Sequence, residues 1–136
     1  MDAAALREIC LGFPGAFEDY PFGPEITVFK VRAAVPGGSR PRAKMFALSA
    51  MDPKDFSVSL KCEPALAVQL RAVHPEISGA WHLNKRHWNG VRLDGDLPDA
   101  MIRDLVEDSY DLVVATLTRR QQEQLGWARV AGGERP

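Results

Sequence analysis

The chain is poor in the features that give most small proteins an obvious chemistry. It holds two cysteines, Cys10 and Cys62, with no C-x-x-C spacing, so it has no thiol redox motif or cysteine metal knuckle. Both read as small buried apolar residues in a reducing compartment. No apolar run approaches the roughly 20 residues a membrane-spanning helix needs. The segment Met1–Leu11 contains Asp2 and Glu8 and no basic cluster, which excludes a secretory signal and makes the cytoplasm the expected location. There is no G-x-S-x-G, no Walker loop, no H-E-x-x-H and no glycine-rich turn between a strand and a helix. Gly37–Gly38 is turn chemistry. Catalytic residues, a resident metal and a cofactor are therefore not expected. His82 and His87 could face each other across a turn, but a metal would need further ligands, and Cys62 and Glu63 are the only candidates nearby.

What is present is an ordinary globular composition, 46% hydrophobic and 26% charged over 136 residues. That is enough for one domain burying about two-thirds of its unfolded surface. A net charge of −1 conceals strong segregation. Lys30, Arg32, Arg40, Arg42 and Lys44 follow one another with no acid between them. Asp94, Asp96, Asp99, Asp104, Glu107, Asp108 and Asp111 are then opposed by Arg103 alone. The pattern predicts a basic end and an acidic face.

Local signals predict the elements. Asp2 caps a helix over Ala3–Leu11, stopped by Gly12, Pro14 and Gly15. Ala16–Glu25 carries Pro21, Gly23 and Pro24 and reads as a fixed loop whose Phe17, Tyr20 and Phe22 plug the core. Ile26–Val31 and Ala43–Leu48 read as strands around a long turn at Ala33–Pro41. Phe56, Val58 and Leu60 alternate with Ser57, Ser59 and Lys61, a strand with one buried face. Pro64 opens a second helix with Leu66, Leu70 and Val73 on one stripe, ended by His74–Pro75. Ala80–Leu83 and Trp88–Leu93 read as a hairpin. Leu97–Pro98–Asp99 opens the strongest helix, which buries Met101, Ile102, Leu105, Val106, Leu112 and Val113 and turns Arg103, Asp104, Glu107, Asp108 and Asp111 outward. The expected fold is a two-layer α+β domain over residues 1–117, with order α-β-β-β-α-β-β-α. A mainly antiparallel sheet of about five strands carries its helices on one face. Residues 118–136 read as a partly disordered tail with a possible anchor at Leu125 or Trp127.

Gly79–Leu93 (GAWHLNKRHWNGVRL) is the most informative segment. It gathers two tryptophans, two histidines, Lys85, Arg86 and Arg92 with no acid. At a hairpin tip, cations neutralise phosphates while rings or guanidinium planes fit grooves and bases. The other reading makes Trp81 and Trp88 the covered base of the hairpin and Lys85/Arg86 a solvated turn. Two functions from different classes follow. One is a non-enzymatic DNA-binding protein of low sequence specificity, with Arg40, Arg42, Lys44, Asn84, Lys85, Arg86, His87 and Asn89 at the interface. The other is a small-molecule or phosphorylated-ligand binder, or an enzyme, with a pocket of Glu18, Asp19, His82, Lys85, Arg86, His87 and Trp88. An adaptor acting through the acidic last helix is a third.

The blocks EDYPFG (18–23), VFKV (28–31), KMFAL (44–48), SLKCEP (59–64), WHLNKRHWNGVRLDG (81–95) and VEDSYDLVV (106–114) together resemble the MmcQ/YjbR family of small bacterial proteins. The resemblance spans roughly residues 6–117 and is most specific at HLNKRHWN. It implies a CyaY-like α+β fold and DNA binding by a double-wing arrangement. The family's motif falls on His82, Asn84, Lys85, Arg86, His87, Trp88 and Asn89. The first hairpin loop, AAVPGGSRPRAK, is longer than the short glycine turn of that pattern. Iron handling is not implied, because the strongly acidic first helix and strand of frataxin-type proteins are absent here. The first helix has only Asp2 and Glu8, and the first strand has Lys30.

Overall fold

The computed structural model describes residues 1–38 and 41–127. The elements are α1 (Ala3–Leu11), β1 (Ala16–Asp19), β2 (Thr27–Val31), β3 (Lys44–Ser49) and β4 (Ser57–Lys61). After them come α2 (Pro64–Val73), β5 (Ile77–Gly79), β6 (Trp88–Arg92), α3 (Asp99–Val114) and α4 (Arg119–Gln124). The strands form one sheet in the order β1-β2-β3-β4-β6-β5, with every neighbouring pair antiparallel. β4 and β5 therefore run parallel to each other, and α2 carries the chain across β6 between them.

The core lies on one face of the sheet. Phe56, Val58 and Leu60 point into it, as their alternation predicts, together with Phe29, Val31, Val91 and Leu93. α3 covers them with Ile102, Val106, Tyr110, Val113 and Val114, all buried. Fully burying one such side chain stabilises the fold by roughly 1.5–3 kcal/mol, so this layer dominates stability. Phe13 stacks on Tyr110 at 4.6 Å, and both meet the Phe46 ring edge-on. Ser109, fully buried in α3, donates its hydroxyl to the Phe46 carbonyl and accepts from the Lys61 N–H, pinning the helix across β3 and β4.

Several expectations are corrected. Ala16–Asp19 is an edge strand, giving six strands: Pro21, Gly23 and Pro24 all follow Asp19 and leave its pairing with β2 intact. Phe17 is half-buried, while Tyr20 and Phe22 are exposed, and Phe13 does the plugging. The hairpin's first strand is Ile77–Gly79, and residues 80–87 form the connection. His82 has φ +63°, which no strand accepts. On α2 the buried residue is Ala67, with Leu70 half-buried, whereas Leu66 and Val73 are exposed. Asp111 is buried and accepts the Trp127 indole N–H at 2.8 Å.

The expected boundary at residue 117 also moves. Thr118 and Gln121 form a reciprocal capping box, Gln122 donates to the Val114 and Leu117 carbonyls, and Leu125 is buried in the core. The domain thus continues to Trp127. The rest of the expected tail lies outside the described residues. No helix among the described residues is long and apolar enough to cross a membrane.

Candidate nucleic-acid interface

The pairing register places the candidate loops. Val31 pairs with Lys44 at the base of the β2–β3 connection. Lys61 at the end of β4 pairs with Trp88 at the start of β6, and β5 ends at Gly79 opposite Asn89. The β2–β3 and β5–β6 connections therefore leave the same end of the sheet. Three strand spacings separate their midlines, roughly 14 Å at 4.7–4.9 Å per spacing.

The 80–87 loop has a defined shape. The Asn84 carbonyl accepts from the N–H groups of His87 and Trp88, its side chain accepts from the Arg86 N–H, and Ala80 N–H donates to the Trp88 carbonyl. The Cys62 N–H donates to the His87 carbonyl, tying the loop to the end of β4. Arg71 reaches over from α2, and its Nη1 donates to the Lys85 carbonyl at 2.7 Å and to Asn89 Oδ1 at 3.0 Å. Gly79 matters by what it lacks: a Cβ there would stand 2.9 Å from Lys85 Cγ and Cδ, so the lysine stem lies in that space. The Lys85 ammonium sits 5.8 Å from the centroid of the Trp81 ring, and His82 meets that ring edge-on at 5.1 Å.

Of the candidate interface residues, Arg42, Lys44, Asn84, Lys85 and Arg86 are exposed at this end, and His87 is half-buried. Lys44 Nζ also donates to the Thr116 hydroxyl at 2.8 Å. Arg40 lies outside the described residues. Asn89 is corrected: it is 2% exposed, beneath the loop on the core face, and receives Arg71. It positions the loop and has no surface to offer. The expectation that Trp81 is at least half covered is also overturned, since it is 77% exposed, while Trp88 is half-buried. Trp88 alternates with Asn89 and so falls on the opposite, helix-free face of the sheet beside Lys61.

The alternative pocket does not assemble around the loop. Glu18 and Asp19 belong to β1, four strand spacings from β6. The Tyr20 hydroxyl and then the Arg7 guanidinium, each 2.6 Å from a Glu18 oxygen, hold that carboxyl below its usual range against its partial burial. Asp19 is lowered chiefly by its 2.7 Å hydrogen bond from Lys30. Glu18 and Asp19 thus fasten the sheet edge, and His82, Lys85, Arg86, His87 and Trp88 lie far from them. Among the described residues no three His, Cys, Asp or Glu groups are arranged to hold a metal ion.

Other cations are spent elsewhere. Arg32 lies over the Phe17 ring at 4.9 Å, and Arg92 pairs with Asp55 and Asp94 at the far end of the sheet. That far end also holds Glu76, which bonds the Asp96 N–H. Sequence reasoning missed Arg71, which lies 18 residues from Asn89 and carries no local signal. It also missed Arg119 and Arg120, exposed in α4 just after Thr116, the residue Lys44 grips. The T-x-x-Q capping box at 118–121 was the available signal for that helix.

These features define a small α+β domain built on one antiparallel sheet, with two cation-bearing loops at one end. The chain belongs to the YjbR family, whose model matches residues 11–112. It is 33% identical over 129 residues to YbdF of Escherichia coli O157:H7, covering 92% of this chain and 98% of that protein. It is 34% identical over 125 residues to YjbR of Escherichia coli K12, with the same coverages. Among solved structures it is similar to Deinococcus radiodurans DR2400, described as a DUF419 domain. The TM-score is 0.82 at 33% identity, covering 99% of this chain and 96% of that one. A Pseudomonas syringae protein gives a TM-score of 0.64 at 27% identity, with 82% and 98% covered.

Proposed function

We propose that this protein binds DNA through the phosphate backbone, without reading sequence, using its two loops as paired basic wings in the cytoplasm. The observation that carries the reading is the register, which sends both loops off one end of the sheet about 14 Å apart. Four exposed cations, Arg42, Lys44, Lys85 and Arg86, stand there. Glu63 at the same end is occupied in capping α2, where its carboxylate accepts the Ala65 and Leu66 N–H groups. Asp55, Glu76, Asp94 and Asp96 gather at the opposite end. Asp108 of α3 also lies near Cys62 at the loop end, but the two loops themselves carry no acid, so they draw a polyanion locally despite a net charge of −1. Lysine and arginine on phosphates fix position and carry no sequence information.

The test is a titration with blunt duplex DNA at several salt concentrations. Each neutralised phosphate contributes a slope of about −0.9 to log K against log salt, so four contacts predict roughly −3 to −4. Lys85→Ala with Arg86→Ala should weaken binding to all duplex sequences alike and flatten the slope by about 2. Fold stability should barely change, since exposed charges contribute little. A folded double variant with unchanged affinity and slope removes this loop from DNA binding.

A further inference from the structure

We infer that the 80–87 loop takes an unpaired base on the Trp81 indole, so that the DNA recognised at this end carries single-stranded nucleotides. The inference rests on the DNA-binding reading and goes beyond it by naming the form of the nucleic acid. A single exposed aromatic residue is common on protein surfaces and alone would mean little. Trp81 differs because the surrounding loop is constructed to hold it out. The next residue, His82, sits at φ +63°, a region non-glycine residues seldom occupy, and presents its ring edge-on to the indole. Arg71 fixes the loop from below through the Lys85 carbonyl, so the backbone carrying the ring is braced by a neighbouring helix.

The same bracing sets a charge over one side of the ring. The missing Cβ of Gly79 lets the Lys85 stem lie flat, which brings its ammonium to 5.8 Å from the indole centroid. Arg86 follows immediately and is exposed. A residue 77% exposed, with the Lys85 ammonium near its ring and the exposed Arg86 next in the chain, suits a nucleotide whose base stacks on the open part of the indole and whose phosphates meet these cations. A paired base inside a duplex has both faces covered by its neighbours and cannot use such a ring. An unpaired base can, and any of the four suffices because each has a π face. The amphipathic indole thereby gains a partner that water does not supply.

The experiment compares a dT oligomer with a blunt duplex of equal length, by fluorescence anisotropy at low and moderate salt. The proteins are wild type, Trp81→Leu, Trp81→Phe and the Lys85→Ala/Arg86→Ala double variant. Stacking one base predicts that Trp81→Leu weakens dT binding by about 5- to 150-fold and leaves duplex binding within about twofold. Trp81→Phe should retain most of the dT affinity, since it keeps a π face. The dT oligomer should also quench wild-type tryptophan emission more than it quenches that of Trp81→Phe, which retains Trp88 and Trp127. The exposure of Trp81 makes these variants fold-neutral, checked by circular dichroism. Equal losses on both ligands, or no loss on dT, overturn the stacking inference. If the lysine–arginine variant still weakens duplex binding in that case, the basic-wing reading stands by itself. If wild type binds neither ligand at low salt, both fall together.

Discussion

Replacing Arg71 by alanine withdraws one guanidinium nitrogen from two acceptors, and the structure assigns them different costs. The Lys85 carbonyl is at an exposed position, where water can replace the donor at little cost. Asn89 Oδ1 is not: its residue is 2% exposed, and its Nδ2 has no hydrogen-bond partner. The truncation would leave both ends of a buried amide unpaired. An unsatisfied buried acceptor costs roughly 1–3 kcal/mol, and the lost bond was charge-assisted, so a destabilisation of about 2 kcal/mol is expected. Unfolding entropy near 2.1 cal/mol/K per residue over this chain length converts that into a Tm lower by about 7 °C. Urea denaturation should show the midpoint falling with the slope unchanged. Amide exchange should accelerate at Ala80, Leu83 and His87, whose N–H groups bond within the loop, more than at Val58 in the core. Arg71→Lys should recover only part of the loss, since an ammonium lacks the planar fork. A stability change below about 0.5 kcal/mol with unchanged loop exchange would refute the reasoning and show that the loop stands on its own turns.

Gly15→Ala should destabilise by about 2–4 kcal/mol in urea titrations. Gly15 has φ +74°, and a Cβ there would lie 2.6 Å from the Arg32 carbonyl and 2.5 Å from Leu125 Cδ2; a loss under about 1 kcal/mol would contradict this packing. Burial pushes the Cys10 thiol and the Tyr110 phenol each up to about 12, so the unfolded chain releases these protons first. Stability should therefore hold below about pH 9 and fall as pH rises towards 12, with Cys10→Ala removing part of that fall in pH-dependent urea titrations. Burial also raises the Cys62 thiol, so a thiol-reactive dye at pH 8 should label neither cysteine until the chain unfolds, and rapid labelling of folded protein would refute it.

The sequence by itself determined the class of fold, because period-two and period-3.6 patterns are local. Phe56, Val58 and Leu60 declared a half-buried strand, the stripe through Ile102, Val106 and Val113 declared a helix lying on it, and the Asp2 cap marked where α1 begins. The loop motif was legible too, since a run of cations and aromatics without acids needs no partner to be noticed. Decisions made between distant segments were not legible. β1 is a strand only because β2 offers an edge, and the buried Asn89 oxygen has a donor only because α2 delivers Arg71 across 18 residues. Whether Trp81 or Trp88 faced the solvent depended on where β5 ended, and β5 stops at Gly79, which leaves Trp81 on the loop. Tertiary register likewise decided that both basic loops leave one end of the sheet, because strand direction and pairing order are properties of the assembled sheet. Residue types thus named the chemistry available to this chain, and long-range pairing decided which of those groups meet.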